Sequence, residues 1–355
     1  MNNLESLGFD AFFAEQLAGL GSPAWVPARV ASEGRKSFHL LGCRAPLGEL
    51  TGRLRRELTP AERPVCGDWV AVADADDRAT IHHVLARRTA LVRRAPATEG
   101  DVQVLAANVD VFFVVTAVNR DFNVRRLERY VTAVWSSGAK PVIVLNKVDL
   151  EADIAVQLDE IAGVAIGVPV VRASAVSGEG LEELRRFTGP GCTVGFIGSS
   201  GVGKSSLTNR LLGREAQAVG GLRADEKGRH TTTARQLMEL PGGGLLVDTP
   251  GLRELGLIDD AGGLEASFPE VAELAGSCKF RDCRHAGEPG CAVVAAVERG
   301  ELPVERLESY RKLEREIAAA ERSRDPALAA RERQRWKVIH KGLRERAKVD
   351  PKLKR

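Results

Sequence analysis

The spacing of hydrophobic positions changes along this chain and divides it into regions. In residues 1–20 the apolar residues recur at helical spacing, which predicts a short packing helix. From Trp25 to about Arg94, short alternating runs are separated by Gly and Pro, and they predict about five strands. A segment with this pattern suits a small closed β-barrel. An OB-fold and an SH3-like barrel fit it equally well.

After the predicted barrel, the hydrophobic pattern changes to apolar runs that alternate with amphipathic segments. Val109–Val115 is an apolar run that predicts a buried strand, Val124–Trp135 predicts an amphipathic helix, and Pro141–Leu145 predicts the next strand. The alternation continues to about Leu257 and is typical of a parallel sheet with helices on both faces. Ligands of such sheets bind beyond the carboxyl ends of the strands.

After Asp259 the chain becomes helical and charged, and one apolar stripe runs through Glu301–Ala320. The whole pattern therefore predicts a multidomain α/β protein, which agrees with its length of 355 residues. The predicted division is an N-terminal segment with a barrel in residues 1–100, an α/β domain in 101–258, a helical domain in 259–330 and a basic tail in 331–355.

The segment Gly198–Ser205 reads GSSGVGKS and matches a phosphate-binding loop. It follows a strand-like run and precedes a helix-like segment, so that loop N–H groups and a helix N-terminus can bind phosphate together. Lys204 is assigned a catalytic role on the β- and γ-phosphates, and Ser205 a role as a Mg²⁺ ligand. The predicted nucleotide-binding residues here are Gly198, Ser199, Ser200, Gly201, Val202, Gly203, Lys204, Ser205 and Ser206.

The base is predicted from Asn146-Lys147-Val148-Asp149, an NKxD motif. The carboxylate of Asp149 can only accept hydrogen bonds, so it suits the N1–H and exocyclic amine of guanine, a donor pair that adenine lacks. The stem of Lys147 can lie over the base, and Asn146 is expected to brace the loop. Ser174 and Ala175 begin an SAxSG segment whose backbone N–H groups can reach guanine O6. These residues predict binding of GTP and GDP.

Asp248-Thr249-Pro250-Gly251 is a DxPG motif at the end of an apolar run. We expect Asp248 to hold the Mg²⁺ shell through water and the N–H of Gly251 to meet the γ-phosphate. The polar segment between the phosphate loop and this motif predicts a switch loop, in which Thr232 is assigned to Mg²⁺ in the GTP state. A solvated polar loop without a ligand is the alternative.

Leu252 follows the DxPG motif at the place where Ras-like enzymes have the glutamine that orients the attacking water. A leucine cannot hydrogen-bond that water, so another group must orient it or intrinsic hydrolysis is slow. His230, in the predicted switch loop, is the candidate because an imidazole can donate and accept near neutral pH.

Four residues within a short segment form a Cys/His cluster: Cys278, Cys283, His285 and Cys291. Three thiolates and one imidazole are a common ligand set for a structural Zn²⁺ ion. All four positions come from the protein, so a catalytic zinc is not expected. The alternative is three buried cysteines beside an incidental histidine. The isolated Cys43, Cys66 and Cys192 are interpreted as small core residues.

The formal net charge of +3 is unevenly distributed. Arg331–Arg355 holds eleven Lys/Arg against three Asp/Glu, so the rest of the chain is net negative. This asymmetry predicts an anionic partner at one end of the molecule. The longest apolar stretch is too short to span a bilayer, and the N-terminus lacks a secretory signal, so we expect a cytoplasmic protein without a membrane partner. We also expect the protein to be monomeric.

The order of the motifs is the most specific feature. The guanine motif comes first, the phosphate loop second and the DxPG motif last, whereas an ordinary small GTPase has its phosphate loop first. With these motifs the chain resembles the circularly permuted GTPases of the RsgA (YjeQ/EngC) family over nearly its whole length. The resemblance also rests on Gly67-Asp68-Trp69-Val70, Ala107-Asn108-Val109-Asp110, Gly228-Arg229-His230-Thr231-Thr232-Thr233 and the Cys/His cluster.

That resemblance implies an N-terminal OB-fold-like barrel, a circularly permuted P-loop GTPase domain and a C-terminal zinc-binding helical domain. It also implies GTP hydrolysis stimulated by the small ribosomal subunit, binding to its rRNA and a role in late maturation of that subunit. Barrel residues that could contact rRNA are Arg29, Arg35, Lys36, Arg53, Arg55 and Arg56. Solvated charges without a partner are the alternative for each.

Two other functions fit the motifs. A GTP-gated assembly checkpoint factor would act by occupying the subunit, with hydrolysis incidental. A signalling GTPase would have a protein partner, and its binding would depend little on salt, unlike contacts with phosphates.

Overall fold

The computed structural model describes residues 4–94, 102–119, 122–151, 153–213, 235–248 and 261–324. Its helices are α1 (Ala11–Gly19), α2 (Gly52–Glu57), α3 (Val124–Ser136), α4 (Ala155–Val164), α5 (Leu181–Arg185), α6 (Lys204–Leu211), α7 (Ala261–Ser267), α8 (Pro269–Ala275), α9 (Ala292–Glu298) and α10 (Val304–Arg324). The barrel strands are β1 (Trp25–Glu33), β2 (Phe38–Leu41), β3 (Leu47–Leu50), β4 (Trp69–Ala73) and β5 (Arg78–Val84). The later strands are β6 (Ala90–Arg94), β7 (Val102–Ala107), β8 (Val111–Ala117), β9 (Lys140–Asn146), β10 (Val170–Arg172), β11 (Thr193–Gly198), β12 (Gln236–Glu239) and β13 (Leu245–Asp248).

The five N-terminal strands form a closed barrel. They are ordered β1-β2-β3-β5-β4, and β4 pairs back onto β1. The β3–β5 pairing is parallel, whereas the other barrel pairings are antiparallel. This strand order and pairing are those of an OB-fold. The pairing therefore distinguishes the OB-fold from the SH3-like barrel, which fitted the sequence equally well. Its interior is filled by small and branched side chains such as Ala28, Val30, Val70 and Ile81.

The α/β domain contains a sheet ordered β10-β9-β8-β11-β13-β12. The first five of these strands are parallel, and β12 is antiparallel to β13. Side chains of β8 alternate between two cores: Phe112 and Val114 pack toward α3 and α4, while Phe113 and Val115 pack toward α5 and α6. The sheet therefore has helices on both faces, as the sequence predicts.

The barrel and the α/β domain are joined by shared packing. Trp69 of the barrel lies in the same hydrophobic cluster as Phe13 of α1 and Phe112 of β8. Strand β1 also pairs with β12 at Ser32 and Gln236. The predicted boundary at residue 100 falls between β6 and β7, which pair with each other as a separate two-stranded sheet.

Arg29 lies inside this junction, and its assignment as an rRNA contact is wrong. Its side chain is 1% exposed, and its guanidinium donates to the carbonyl oxygens of Leu7, Gly67 and Asn108. Burial lowers its pKa to about 10, which leaves it cationic at neutral pH. Arg29 thus connects the N-terminal segment, the barrel and the α/β domain.

The C-terminal helices pack against α3 through a buried ionic cluster. Arg306 of α10 is 4% exposed and donates to the carboxylates of Glu128, on α3, and Glu270, on α8. It also donates to the carbonyl oxygens of Val164 and Ser267. A cation that serves four acceptors from different elements fixes these helices relative to one another. No helix within the described ranges has the length and apolar character needed to cross a membrane.

Candidate functional site

The nucleotide motifs lie together at one edge of the parallel sheet. The NKxD motif begins at the last residue of β9, the phosphate loop follows β11, the SAxSG segment follows β10, and Asp248 ends β13. Because these strands are parallel, their carboxyl ends meet at the same edge. The shuffled order of the motifs along the chain is therefore compatible with one contiguous site.

The phosphate loop depends on two glycines at which a side chain has no room. Gly198 has a φ of 147°, and a Cβ there would lie 2.3 Å from the carbonyl oxygen of Val115 on β8. Gly203 has a φ of 100°, and its Cβ would lie 2.2 Å from Nδ2 of Asn146. Lys204 begins α6, and its Nζ donates to the carbonyl oxygens of Gly198 and Ser199 at 2.7 and 2.6 Å. The lysine thus lies folded over the loop that it is predicted to serve.

Asn146 joins the guanine motif to the phosphate loop. Its Nδ2 donates to the carbonyl oxygen of Val202 at 2.7 Å, and the side chain is 1% exposed. Among the described residues, Oδ1 of Asn146 is buried without a hydrogen-bond partner. An unpaired buried acceptor is costly, so this atom suits a donor from a bound ligand or water.

Ser174 orients the carboxylate of Asp149. Its hydroxyl donates to Oδ1 of Asp149 at 2.5 Å and accepts from the backbone N–H groups of Val176 and Ser177. Asp149 itself is exposed. Lys147 adopts a left-handed conformation with a φ of 64°, which turns the chain out of β9 and places the following 3₁₀ turn, Val148–Leu150, beside the SAxSG segment. The arrangement places an acceptor-only carboxylate beside the SAxSG segment.

The predicted Mg²⁺ ligands lie at the same edge. Ser205 stands in the first turn of α6, and Asp248 ends β13, the strand next to β11. Burial raises the pKa of Asp248, a shift that a bound cation would oppose. A hydroxyl and a carboxylate are oxygen ligands of the kind Mg²⁺ prefers. Gly251, Thr232 and His230 lie outside the described residues.

Arg126 contacts the phosphate loop although the sequence did not indicate it. This residue is in the first turn of α3, and its Nη1 donates to Oγ of Ser199 at 2.7 Å. The signal was missing because an arginine at the start of an amphipathic helix is ordinarily a solvated charge. Only the strand order, which places β8 next to β11, brings the start of α3 to this loop.

The Cys/His cluster forms a compact ligand set, with all four ligand atoms within 4.8 Å of one another. Nδ1 of His285 lies 3.6 Å from Sγ of Cys278 and 3.5 Å from Sγ of Cys291, and these two sulfurs are 4.0 Å apart. Ideal tetrahedral zinc would give about 3.6 Å for N···S and about 3.8 Å for S···S. The geometry fits a closed Zn²⁺ site.

Local structure supports the thiolate form of Cys278 and the neutral imidazole form of His285, both of which zinc requires. In contrast, burial raises the pKa of the Cys283 thiol to about 12. Cys291 caps α9, where its sulfur accepts from the N–H of Val294. Burial alone would raise the pKa of Cys278, but hydrogen bonds from backbone N–H groups at Ala292 and Val293 lower it. His285 is 4% exposed, and burial lowers its pKa, which favours the neutral ring. The cluster packs in the core of the C-terminal helices.

A cavity of about 990 Å³ lies elsewhere, between α1, the barrel and the α/β domain. Its lining includes Phe13, Trp69, Asp110 and Thr193. The last two residues are at the amino ends of β8 and β11, whereas the motifs are at the carboxyl ends. This cavity is therefore at the opposite edge of the sheet from the candidate nucleotide site.

The chain is similar to a known protein family and to several individual proteins. The RsgA GTPase family model matches residues 84–258. The small ribosomal subunit biogenesis GTPase RsgA of Opitutus terrae is 48% identical over 362 residues, which cover 98% of each chain. The small ribosomal subunit biogenesis GTPase RsgA 2 of Lactiplantibacillus plantarum is 50% identical over 273 residues, which cover 76% of this chain and 77% of that protein.

The chain is also similar to solved structures of circularly permuted GTPases. YjeQ from Thermotoga maritima is 30% identical with a TM-score of 0.61, and the match covers 83% of this chain and 99% of that one. YloQ, described as a circularly permuted GTPase, is 25% identical with a TM-score of 0.60 and covers 83% and 96%. The permuted arrangement inferred from motif order is thus also that of the structural neighbours.

Proposed function

This chain belongs to the RsgA GTPase family and is a GTPase, and from that premise we propose that the small ribosomal subunit stimulates its GTP hydrolysis. The protein would act in late maturation of that subunit and bind its rRNA. The names of the relatives support the subunit as partner, since they are called small ribosomal subunit biogenesis GTPases.

One set of contacts carries the assignment of the nucleotide site. Nδ2 of Asn146 bonds to the phosphate loop at Val202, and Ser174 bonds to Asp149 of the same NKxD motif. Three sequence segments that would read the base and the phosphates are thereby tied into one site. We propose that this site binds GTP and GDP through the sixteen residues named from the sequence.

Within that site we assign separate roles. Lys204 would leave its loop carbonyls to neutralise the β- and γ-phosphates, and Ser205 and Asp248 would hold Mg²⁺, directly and through water. Mg²⁺ would supply charge neutralisation at the transferring phosphoryl group. His230 would orient the attacking water, and Thr232 would complete the metal shell. A His230→Ala variant that retained full subunit-stimulated turnover would exclude that role for His230.

Exposed basic residues of the barrel support rRNA binding. They are Arg35, Lys36, Arg53, Arg55 and Arg56. Arg35 and Lys36 lie in the β1–β2 loop, which OB-folds use for oligonucleotides. The β4–β5 loop carries Asp74, Asp76 and Asp77, whose charges repel phosphate. We therefore propose that rRNA binds the barrel on the side of its β1–β2 loop. We propose Arg331–Arg355 as a further basic segment that contacts the rRNA.

The test is GTP turnover with increasing amounts of purified small subunits, with large subunits as the matched control. We expect strong stimulation by small subunits alone. An Arg35→Ala/Lys36→Ala variant should bind the subunit more weakly and reduce the salt slope by about one per lost phosphate contact, while its basal turnover stays unchanged. Equal turnover with and without small subunits would refute the proposal.

A second function is favoured by Leu252, which cannot orient water as a glutamine would. In this alternative the protein is a GTP-gated checkpoint, and binding rather than turnover is its function. It predicts that the GTP-bound protein stays on the subunit without stimulated hydrolysis, so the same titration separates the two.

The Cys/His cluster is proposed to hold one structural Zn²⁺ ion. We also propose that the protein is monomeric and cytoplasmic and that its domains divide near residues 100, 258 and 330. The zinc content of the purified protein tests the zinc proposal, and its mass in solution tests the monomeric state.

A further inference from the structure

The topology brings the start of α3 to the phosphate loop. Strands β8 and β11 are parallel neighbours, and Val115 of β8 pairs with Gly198, the first residue of the loop. The chain leaves β8 at Ala117 and enters α3 at Val124, so the first turn of α3 lies at the edge where the loop begins. Asn123 caps this helix by accepting from the N–H of Arg126 at 2.9 Å, which anchors the backbone of Arg126.

From this anchored turn, the guanidinium of Arg126 reaches Ser199. Nη1 donates to Oγ at 2.7 Å, a normal distance for a charged donor. The preceding residue on the helix, Arg125, is also an arginine but has different partners. Its Nη1 lies 3.7 Å from the carboxylate of Glu128 and 3.5 Å from the carbonyl oxygen of Glu305. The two adjacent residues carry the same charge, yet only Arg126 contacts the phosphate loop.

Two cations share Ser199. Lys204 donates to its carbonyl oxygen, and Arg126 donates to its hydroxyl. Two positive side chains at one residue favour an anion nearby, and the proposed anion of this loop is phosphate. When Lys204 moves to the phosphates, Arg126 is the side chain that still holds Ser199.

We propose that Arg126 is a positioning residue for GTP hydrolysis, acting through the hydroxyl of Ser199. It fixes the first half of the phosphate loop, where Ser199, Ser200 and Gly201 follow one another. The N–H groups of a phosphate loop work only when they point at the ligand, so loss of this contact disorders the groups around the γ-phosphate. The proposal rests on the proposed assignment of Gly198–Ser205 as the phosphate loop.

The test is single-turnover GTP hydrolysis by the full-length Arg126→Ala variant, together with its GTP Kd. Because a hydrogen bond to a charged donor is lost at a partly open site, we expect the rate to fall about tenfold. The Kd should change less than about threefold, since most phosphate contacts remain. Arg126→Lys should recover part of the rate, and the melting temperature should stay within about 2 °C because Arg126 is exposed.

A double-mutant cycle identifies the route of action. If Arg126 acts through Ser199, the Arg126→Ala/Ser199→Ala variant loses no more rate than the worse single variant. Multiplicative losses, about a hundredfold in total, would overturn the proposal, as would an Arg126→Ala rate within twofold of wild type. The matched control is Arg125→Ala, which removes the same charge one residue away and should leave the rate within about twofold.

Failure of the loop assignment gives a different result. A Lys204→Ala variant that binds GDP with wild-type affinity would show that this loop does not hold the phosphates, whatever the Arg126 variants do. Wild-type GDP binding that depends on Lys204, combined with an inert Arg126, would refute this inference alone.

Discussion

Replacing Arg306 by methionine leaves the carboxylate of Glu128 buried without its closest cationic partner. Glu128 is 3% exposed and lies 2.8 Å from Nη1 of Arg306. Its remaining cationic neighbour, Arg125, is at 3.7 Å and half exposed. Methionine keeps the apolar stem, which in Arg306 carries the guanidinium over the ring of Phe268 at 3.9 Å. The substitution therefore tests the charge more than the packing.

The expected cost follows from this geometry. Breaking a buried ion pair by removing one partner costs about 3–5 kcal/mol, since the other charge stays buried. The carbonyl oxygens of Val164 and Ser267 also lose a donor. We expect the free energy of unfolding at the α3–α10 interface to fall by about that amount near neutral pH. Adding Glu128→Gln removes the buried charge and should restore at least about half of the loss.

The loss should depend on pH in a defined direction. Burial raises the pKa of Glu128 in the folded protein, and Arg306 opposes that shift. Without Arg306 the folded pKa rises further, so the folded variant holds a proton that the unfolded chain has released. Its stability therefore falls as pH rises from the usual glutamate pKa through the raised folded value, and it recovers in acid.

The assay is urea unfolding at about pH 5.5 and pH 8. Unfolding is monitored by pulsed hydrogen exchange of peptides from α3 and α10. Local exchange separates this interface from the barrel, which can unfold independently in a multidomain protein. A loss below about 1 kcal/mol, or a Glu128→Gln change that restores nothing, would refute this account of the cluster.

Three further predictions concern the candidate sites. Asn146→Ala removes the bond to Val202 and should weaken GDP binding by about tenfold or more, measured by calorimetry; unchanged affinity would contradict the bracing role. Asp149→Asn offers an amide in place of an acceptor-only carboxylate, so competition binding should show a preference shifted from guanosine to xanthosine nucleotides; retained guanine preference would argue against Asp149 as the base reader. Cys278→Ser should abolish a zinc content of one ion per chain and lower hydrogen-exchange protection of α9, whereas Cys192→Ser, a matched cysteine outside the cluster, should retain the metal; equal zinc in both would exclude the site.

Several features could be read from the sequence because their signals are local. The NKxD, GxxxxGKS and DxPG segments each carry their chemistry within a few residues, and the flanking strand and helix patterns place them at strand ends. The Cys/His cluster is equally compact, and the structure places its four ligand atoms together. Alternation of apolar runs and amphipathic segments was sufficient to predict the parallel sheet with helices on both faces.

Contacts between distant segments could not be read in this way. Arg29 looks like any basic barrel residue in the sequence, yet tertiary packing makes it the buried link between three regions. The barrel could be identified as an OB-fold rather than an SH3-like barrel only from the β3–β5 and β1–β4 pairings. Arg126 and Arg306 likewise acquire their partners only when strand order and helix docking are set. Residue type and spacing determine local structure and the chemistry available, but strand order and burial decide which polar group meets which, because they arise from packing of the whole chain.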